Sequence, residues 1–225
     1  MKLVLFDIDG TLIDSGGAGV RALNNAFLDV FSLRDAFNGI NMAGKTDTQI
    51  VREALLARSI STDNGFVPEV IRVYLSHLRH EINNERRHLK KGVREVLSLL
   101  AQDAGRYRLG LLTGNIERGA RIKLAPFDLN GFFPFGAFGD DDEDRNKLLP
   151  VAVQRYRALY GLDIDYRSCV IVGDTPRDVE CARLYGAPCI AVATGPYRFE
   201  ELARTGADAV MNDLSDIESV FGAIG

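Results

Sequence analysis

The sequence predicts an α/β fold: a Rossmann-like parallel sheet core with helices on both faces, plus an inserted all-helical cap domain. Three observations predict it. Short apolar runs recur along the chain and stop at polar loops, amphipathic helical segments alternate with them, and one early stretch holds helices alone.

The run from Leu3 to Ile8 is apolar apart from Asp7 and passes into Gly10-Thr11, the pattern of a strand buried on both faces that ends at a polar loop. Tyr107 to Leu112, ending in Thr113-Gly114-Asn115, and Cys169 to Val172, ending in Gly173-Asp174-Thr175-Pro176, repeat the design, each followed by a helical pattern. Cys189 to Val192 is a fourth run. Between the strands, Arg94 to Gln102, Leu149 to Tyr160 and Asp178 to Tyr185 space their apolar residues three or four apart, as amphipathic helices do. A helix over Phe199 to Thr205, a short strand over Ala207 to Met211 and a last helix complete the expectation.

From about Ser15 to Arg87 the alternation fails. Val20 to Phe31, Thr48 to Arg58 and Pro68 to Ile82 all read as helices with no convincing strand between them. The expected organisation is therefore an α/β core of residues 1–14 and 88–225 and a helical cap of residues 15–87. Gly16, Gly17 and Gly19 mark one junction and His88 to Gly92 the other.

Composition limits the function. A chain of 225 residues, 46% hydrophobic and 26% charged, has the make-up of an ordinary globular protein. A net charge of -4 provides no basic field for nucleic acid, and no stretch approaches the ~18 apolar residues of a membrane span. A cytoplasmic protein with a small anionic partner, and no nucleic-acid or membrane partner, is expected. Cys169, Cys181 and Cys189 lack metal or redox spacing and read as reduced core thiols.

The chemistry gathers at the strand ends, where ligands bind in open parallel sheets. Asp7-Ile8-Asp9-Gly10-Thr11 places two carboxylates where the chain leaves a strand, and the glycine lets the backbone turn so that both can approach one ligand. Asp174 and Asp178 could simply cap a helix. The Thr113 hydroxyl and the amides of Gly114 and Asn115 can donate to phosphoryl oxygens, or Thr113 can act as a plain cap.

Together these motifs resemble the haloacid dehalogenase-like superfamily of aspartate-nucleophile phosphotransferases. Asp7-Ile8-Asp9-Gly10-Thr11 is similar to its first motif, Leu112-Thr113-Gly114-Asn115 to its second and Gly173-Asp174-Thr175-Pro176-Arg177-Asp178 to its fourth, with the helical insertion where the family carries a cap. The resemblance implies that Asp7 is the nucleophile and Asp9 the acid and then the base. It implies a magnesium ion on Asp7, the Asp9 backbone carbonyl and Asp174, with Asp178 as a further ligand or support. The presence of the second aspartate argues against dehalogenation.

For the third motif the family most often has Lys-Pro, whereas this chain has Asp144-Arg145-Asn146-Lys147. Arg145 aligns best as the cation for Asp7 and phosphate, with Lys147 as the alternative. The acidic run Asp140 to Asp144 reads as a solvated loop, and His77, His80 and His88 as surface residues.

In the cap, Gly44-Lys45-Thr46-Asp47 resembles a segment of phosphoglycolate phosphatase-like members. Lys45 could meet a second anionic group of the substrate, or the segment could merely start the next helix. The expected function is magnesium-dependent hydrolysis of a small phosphate monoester, of the phosphoglycolate or sugar-phosphate type, through an aspartyl-phosphate. A β-phosphoglucomutase-like isomerase would share every catalytic residue, and a non-catalytic phospho-ligand binding module would predict a damaged motif. Both a monomer and a homodimer are compatible with the sequence.

Overall fold

The computed structural model describes residues 1–225. The central sheet contains six parallel strands: β1 (Lys2–Phe6), β4 (Tyr107–Leu112), β5 (Gly136–Ala137), β6 (Cys169–Gly173), β7 (Cys189–Val192) and β8 (Ala209–Met211). Their order is β5-β4-β1-β6-β7-β8, so the chain builds outward from β1 on one side, then returns to build outward on the other. The crevice of such a sheet opens at the carboxyl end of β1, between β4 and β6.

Period-two alternation divides the strand side chains between two cores. Val4, Phe6, Leu111, Val170 and Ile190 face helices α4 (Val93–Gln102), α5 (Glu117–Leu124) and α9 (Ile217–Ile224). Leu3, Leu5, Leu112, Ile171 and Ala191 face α6 (Leu148–Tyr160), α7 (Pro176–Leu184) and α8 (Phe199–Leu202). Both faces are buried, which explains why the strands read as nearly continuous apolar runs.

The insertion contains α1 (Ala18–Phe31), α2 (Asp47–Ala57) and α3 (Phe66–Glu81), and no strand. These helices share a separate core in which Phe27 packs edge-on against Phe37 at 4.8 Å, above fully buried Tyr74 and Leu78. Chain entry and exit are tied together by a two-stranded antiparallel pair, β2 (Ile13–Asp14) with β3 (His88–Leu89).

The helices start within two residues of their expected positions. Three differences stand out at the ends of short elements. The helix expected over Phe199 to Thr205 closes after Leu202, the strand expected from Ala207 begins at Ala209, and β2, β3 and β5 hold only two residues each. Elements this short take their form from their neighbours rather than from any periodicity of their own.

The separate core makes the insertion a candidate unit of local unfolding. Phe27→Ala, which empties that core, is expected to cost about 3–5 kcal/mol. Native-state hydrogen exchange should show protection falling in α1, α2 and α3 while the amides of β1 and β6 keep theirs. Equal loss across both regions would show one cooperative unit instead.

Candidate active site

Each strand around β1 delivers one polar residue to the crevice just after its last paired position. The Asp7 amide donates to the Val172 carbonyl at 2.9 Å and the Thr113 amide to the Ala137 carbonyl at 3.1 Å, so both are held by the sheet ladder itself. Asp174 follows β6 directly. Carboxylate oxygens of Asp7, Asp174 and Asp178 all lie within 4.8 Å of one another, and all three residues are buried.

Glycines make the room for this crowding. Gly10 turns at φ 84°, a conformation that suits only glycine well, and a Cβ there would lie 2.2 Å from an Asp174 oxygen. At Gly195 a Cβ would lie 1.6 Å from the same oxygen. Asp174 keeps one side-chain partner, the Thr11 hydroxyl, which donates at 3.2 Å. Burial, together with the charges of Asp7 and Asp178, drives its proton affinity well above the usual carboxylate range.

The balancing cation is Arg145. It stands in the turn ahead of α6 and is buried, 3.3 Å from Asp7, and it donates to Asp178 and to the Leu112 carbonyl at 3.4 Å. Its Nε donor has no partner in the protein. Lys147, the alternative from sequence, is exposed and pairs with Asp142 at 3.2 Å. Burial pushes Asp7 up to about 6 against the opposing pull of Arg145.

Asp178 has little free capacity. One of its oxygens accepts the Thr175 amide at 3.0 Å and the Thr175 hydroxyl at 2.8 Å, in a capping box at the start of α7, while the other accepts Arg145. It therefore caps the helix and holds the arginine at once.

On the other side of Asp7, the Thr113 hydroxyl accepts the Asn115 side-chain amide at 2.9 Å. Asn115 also donates to Asp9 at 2.9 Å. The sequence reading missed the next member, Lys123. Its ammonium is buried and donates to Asp9 and to the Asn115 carbonyl oxygen, both at 2.6 Å. Burial alone would raise Asp9, but the charge and hydrogen bond of Lys123 outweigh it and hold the carboxyl below its ordinary range. The signal lay in the helical spacing: Lys123 shares the buried stripe of Ile116, Gly119 and Ala120, where a solvated lysine does not belong.

The cap is docked over this site. The Asp47 amide donates to the Gly114 carbonyl at 2.7 Å, the Thr46 hydroxyl to the Glu143 carbonyl at 2.9 Å and the Thr48 hydroxyl to the Gly139 carbonyl at 3.0 Å. Thr46 is the N-cap of α2, accepting the Gln49 amide at 3.2 Å. Asp47 is buried and accepts the Ile116 amide at 3.0 Å. At Gly114 a Cβ would strike the Lys45 carbonyl at 2.1 Å, so the second-motif loop and the cap loop need that glycine to meet. Lys45 itself lies 2.5 Å from Glu53, a residue of the cap.

Between cap and core lies a cavity of about 390 Å³, a size that suits a small ligand. Asp7, Asp9, Thr113, Asn115, Arg145 and Asp174 border it on the core side. Other sequence candidates fall outside it. Within the acidic run, Asp141 pairs with Arg155 at 2.6 Å and Asp144 caps its own turn, while His77 meets Asp29 at 2.7 Å on the cap.

This arrangement defines a class: a doubly wound α/β protein whose strand-end aspartates form a site closed by a helical lid. A family model for haloacid dehalogenase-like hydrolases matches residues 4–192, and the chain belongs to that family. It is 25% identical, across 99% of its length and 93% of the relative's, to a phosphoglycolate phosphatase of Photorhabdus laumondii. Against a phosphoglycolate phosphatase of Rhodospirillum rubrum the identity is 27%, over 98% and 91%. Among solved structures it shares its fold with CbbY from Rhodobacter sphaeroides in complex with phosphate, at TM-score 0.74 and 17% identity over 96% of both chains. A hydrolase from Pseudomonas syringae matches at TM-score 0.72 and 22% identity over the whole of both chains. No helix is long and apolar enough to cross a membrane.

Burial also pushes Asp47 up to about 6. A carboxyl with a raised folded-state pKa stabilises the fold below its unfolded value near 4 and loses that contribution as pH rises through about 6. Relative to Asp47→Asn, the wild type should therefore lose up to ~3 kcal/mol between pH 4 and pH 6. Urea titrations of both proteins across that range measure it, and parallel pH curves would contradict it.

Proposed function

We propose that the protein is a magnesium-dependent phosphatase that hydrolyses a small phosphate monoester, of the phosphoglycolate or sugar-phosphate type, through an aspartyl-phosphate on Asp7. The observation that carries this reading is the meeting of Asp7, Asp174 and Arg145 in one buried cluster beside a capped cavity. The names of the curated relatives point the same way.

In the first half-reaction an Asp7 oxygen attacks phosphorus, the ester P–O bond breaks, and the leaving oxygen takes a proton from Asp9. In the second, Asp9 takes a proton from water as the water oxygen attacks phosphorus, which releases phosphate and restores the Asp7 carboxylate. Thr113 and the amides of Gly114 and Asn115 orient phosphoryl oxygens, and Arg145 keeps Asp7 in place while offering donors to the developing charge. Arriving phosphate charge raises the proton affinity of Asp9 and Lys123 lowers it, so the lysine sets the pH at which Asp9 can carry its proton.

The donors fit a hard divalent cation: crowded carboxylates with few hydrogen bonds of their own and no sulfur or nitrogen among them. Asp7, Asp174 and the Asp9 backbone carbonyl would hold it, with Asp178 as support through Arg145. When bound, it supplies the positive charge that lets an anionic nucleophile approach an anionic phosphoryl group. A cap over the cavity would limit the access of bulk water to the phosphoenzyme. Three buried, unpaired cysteines fit a reducing cytoplasm.

Phosphate release from a panel of phosphate esters, with and without magnesium, tests the reading. Asp7→Asn should lower kcat by about 10³-fold or more while the far-ultraviolet circular dichroism stays native. A folded Asp7→Asn protein that keeps its turnover would remove the nucleophile assignment, and a sugar phosphate isomerised without phosphate release would favour a mutase. Lys123→Met should lower kcat/KM by roughly 10–100-fold and move the Asp9 limb of its pH profile to higher pH. An unmoved limb would leave Lys123 a packing role only.

A further inference from the structure

The cavity's cap wall combines two features. Away from the strand ends it is lined by Val20, Leu23, Met42 and Ile50, together with Tyr74. Every cation that borders the cavity already holds a carboxylate.

Lys45 pairs with Glu53 at 2.5 Å, and the other Glu53 oxygen accepts the Gln49 side chain at 3.0 Å. Lys90 lies 3.3 Å from Asp14 and Lys123 2.6 Å from Asp9, while Arg145 sits between Asp7 and Asp178. Asp47 lines the same space and adds a further carboxylate in the field of Lys123, which Asp9 already holds. An incoming phosphoryl group meets Arg145 and the oxygen cluster. A second anion on the leaving group would meet no unpaired cation. To gain one it would have to draw Lys45 from Glu53, exchanging one ion pair for another and keeping only the difference.

On the phosphatase reading above, we infer that the substrate's leaving group is uncharged: a small neutral alcohol or polyol whose carbon skeleton rests on Val20, Leu23, Met42 and Ile50. Phosphoglycolate, the substrate in the names of the relatives, carries a carboxylate at that end. Glu53 is thus a specificity-determining residue of this chain, because it occupies the lysine that could otherwise receive that carboxylate. The sequence left Lys45 between meeting a second anionic group and belonging to an ordinary capping segment; on this inference the pair with Glu53 keeps it from the first role.

The test compares phosphoglycolate with 2-hydroxyethyl phosphate, which differs by a hydroxymethyl in place of the carboxylate. Hydrolysis of p-nitrophenyl phosphate, with Asp7→Asn as its control, reports on the phosphatase reading separately. In the wild type, kcat/KM for the neutral ester should exceed that for phosphoglycolate by about tenfold or more. Glu53→Gln, which releases Lys45, should raise the phosphoglycolate to hydroxyethyl phosphate ratio by about tenfold. A wild-type preference for phosphoglycolate, or an unchanged ratio in Glu53→Gln, overturns the inference while leaving the phosphatase reading intact. Absence of magnesium-dependent turnover on all three esters overturns both.

Discussion

One constraint organises this molecule: three aspartates, Asp7, Asp174 and Asp178, are buried together beside a single arginine. Burying a charge is costly unless it is paired, and three acids on one base leave an excess of negative charge. Burial first, and then the neighbouring carboxylates, raise the proton affinity of Asp7 and Asp174. The rest of the local architecture serves to hold the cluster. The ladder fixes Asp7, a capping box fixes Asp178, and Gly10 and Gly195 leave the space that the Asp174 carboxylate fills. Crowded carboxylates of this kind fit the divalent cation proposed for the site.

Asp9 shows the opposite design within one turn of the same chain. Lys123 and Asn115 hold it as an anion, so neighbouring carboxylates are driven apart in proton affinity by their surroundings. A cation on Asp7 would lower its proton affinity and phosphate beside Asp9 would raise that of Asp9, which would bring each to the protonation state its proposed role requires. The lysine comes from the helix that follows the second motif, and it also faces Asp47 and Tyr74 of the cap. Cap and Asp9 therefore share one electrostatic neighbourhood through Lys123.

Much of this was legible in the sequence, for identifiable reasons. Strands buried on both faces give continuous apolar runs, so a polar residue at the end of each is visible at once; that exposed Asp7, Thr113 and Asp174. The cap was legible as a break in strand and helix alternation. Arg145 and Lys147 were harder to separate, because both lie two residues apart in a turn with no periodicity, and only the fold turns one inward and the other outward. The buried stripe of its helix marked Lys123 and a capping segment contained Asp47, but their partners Asp9 and Ile116 lie 114 and 69 residues away along the chain, which local spacing cannot name. Glu53 was hidden for a different reason: an acid on a cap helix, eight residues after a lysine in the preceding loop, looks like a solvated surface charge until the cavity beside that lysine is seen.

The central claim is that the aspartate cluster gathers one divalent cation next to a nucleophilic Asp7. A crystal structure of the protein grown with magnesium and beryllium fluoride tests it most directly, since trifluoroberyllate mimics a phosphoryl group on an aspartate. The account predicts one metal ion shared by Asp7 and Asp174, with the fluoroberyllate on an Asp7 oxygen and Arg145 in contact with it. An ion bound elsewhere, or a fluoroberyllate on a different carboxylate, would contradict it.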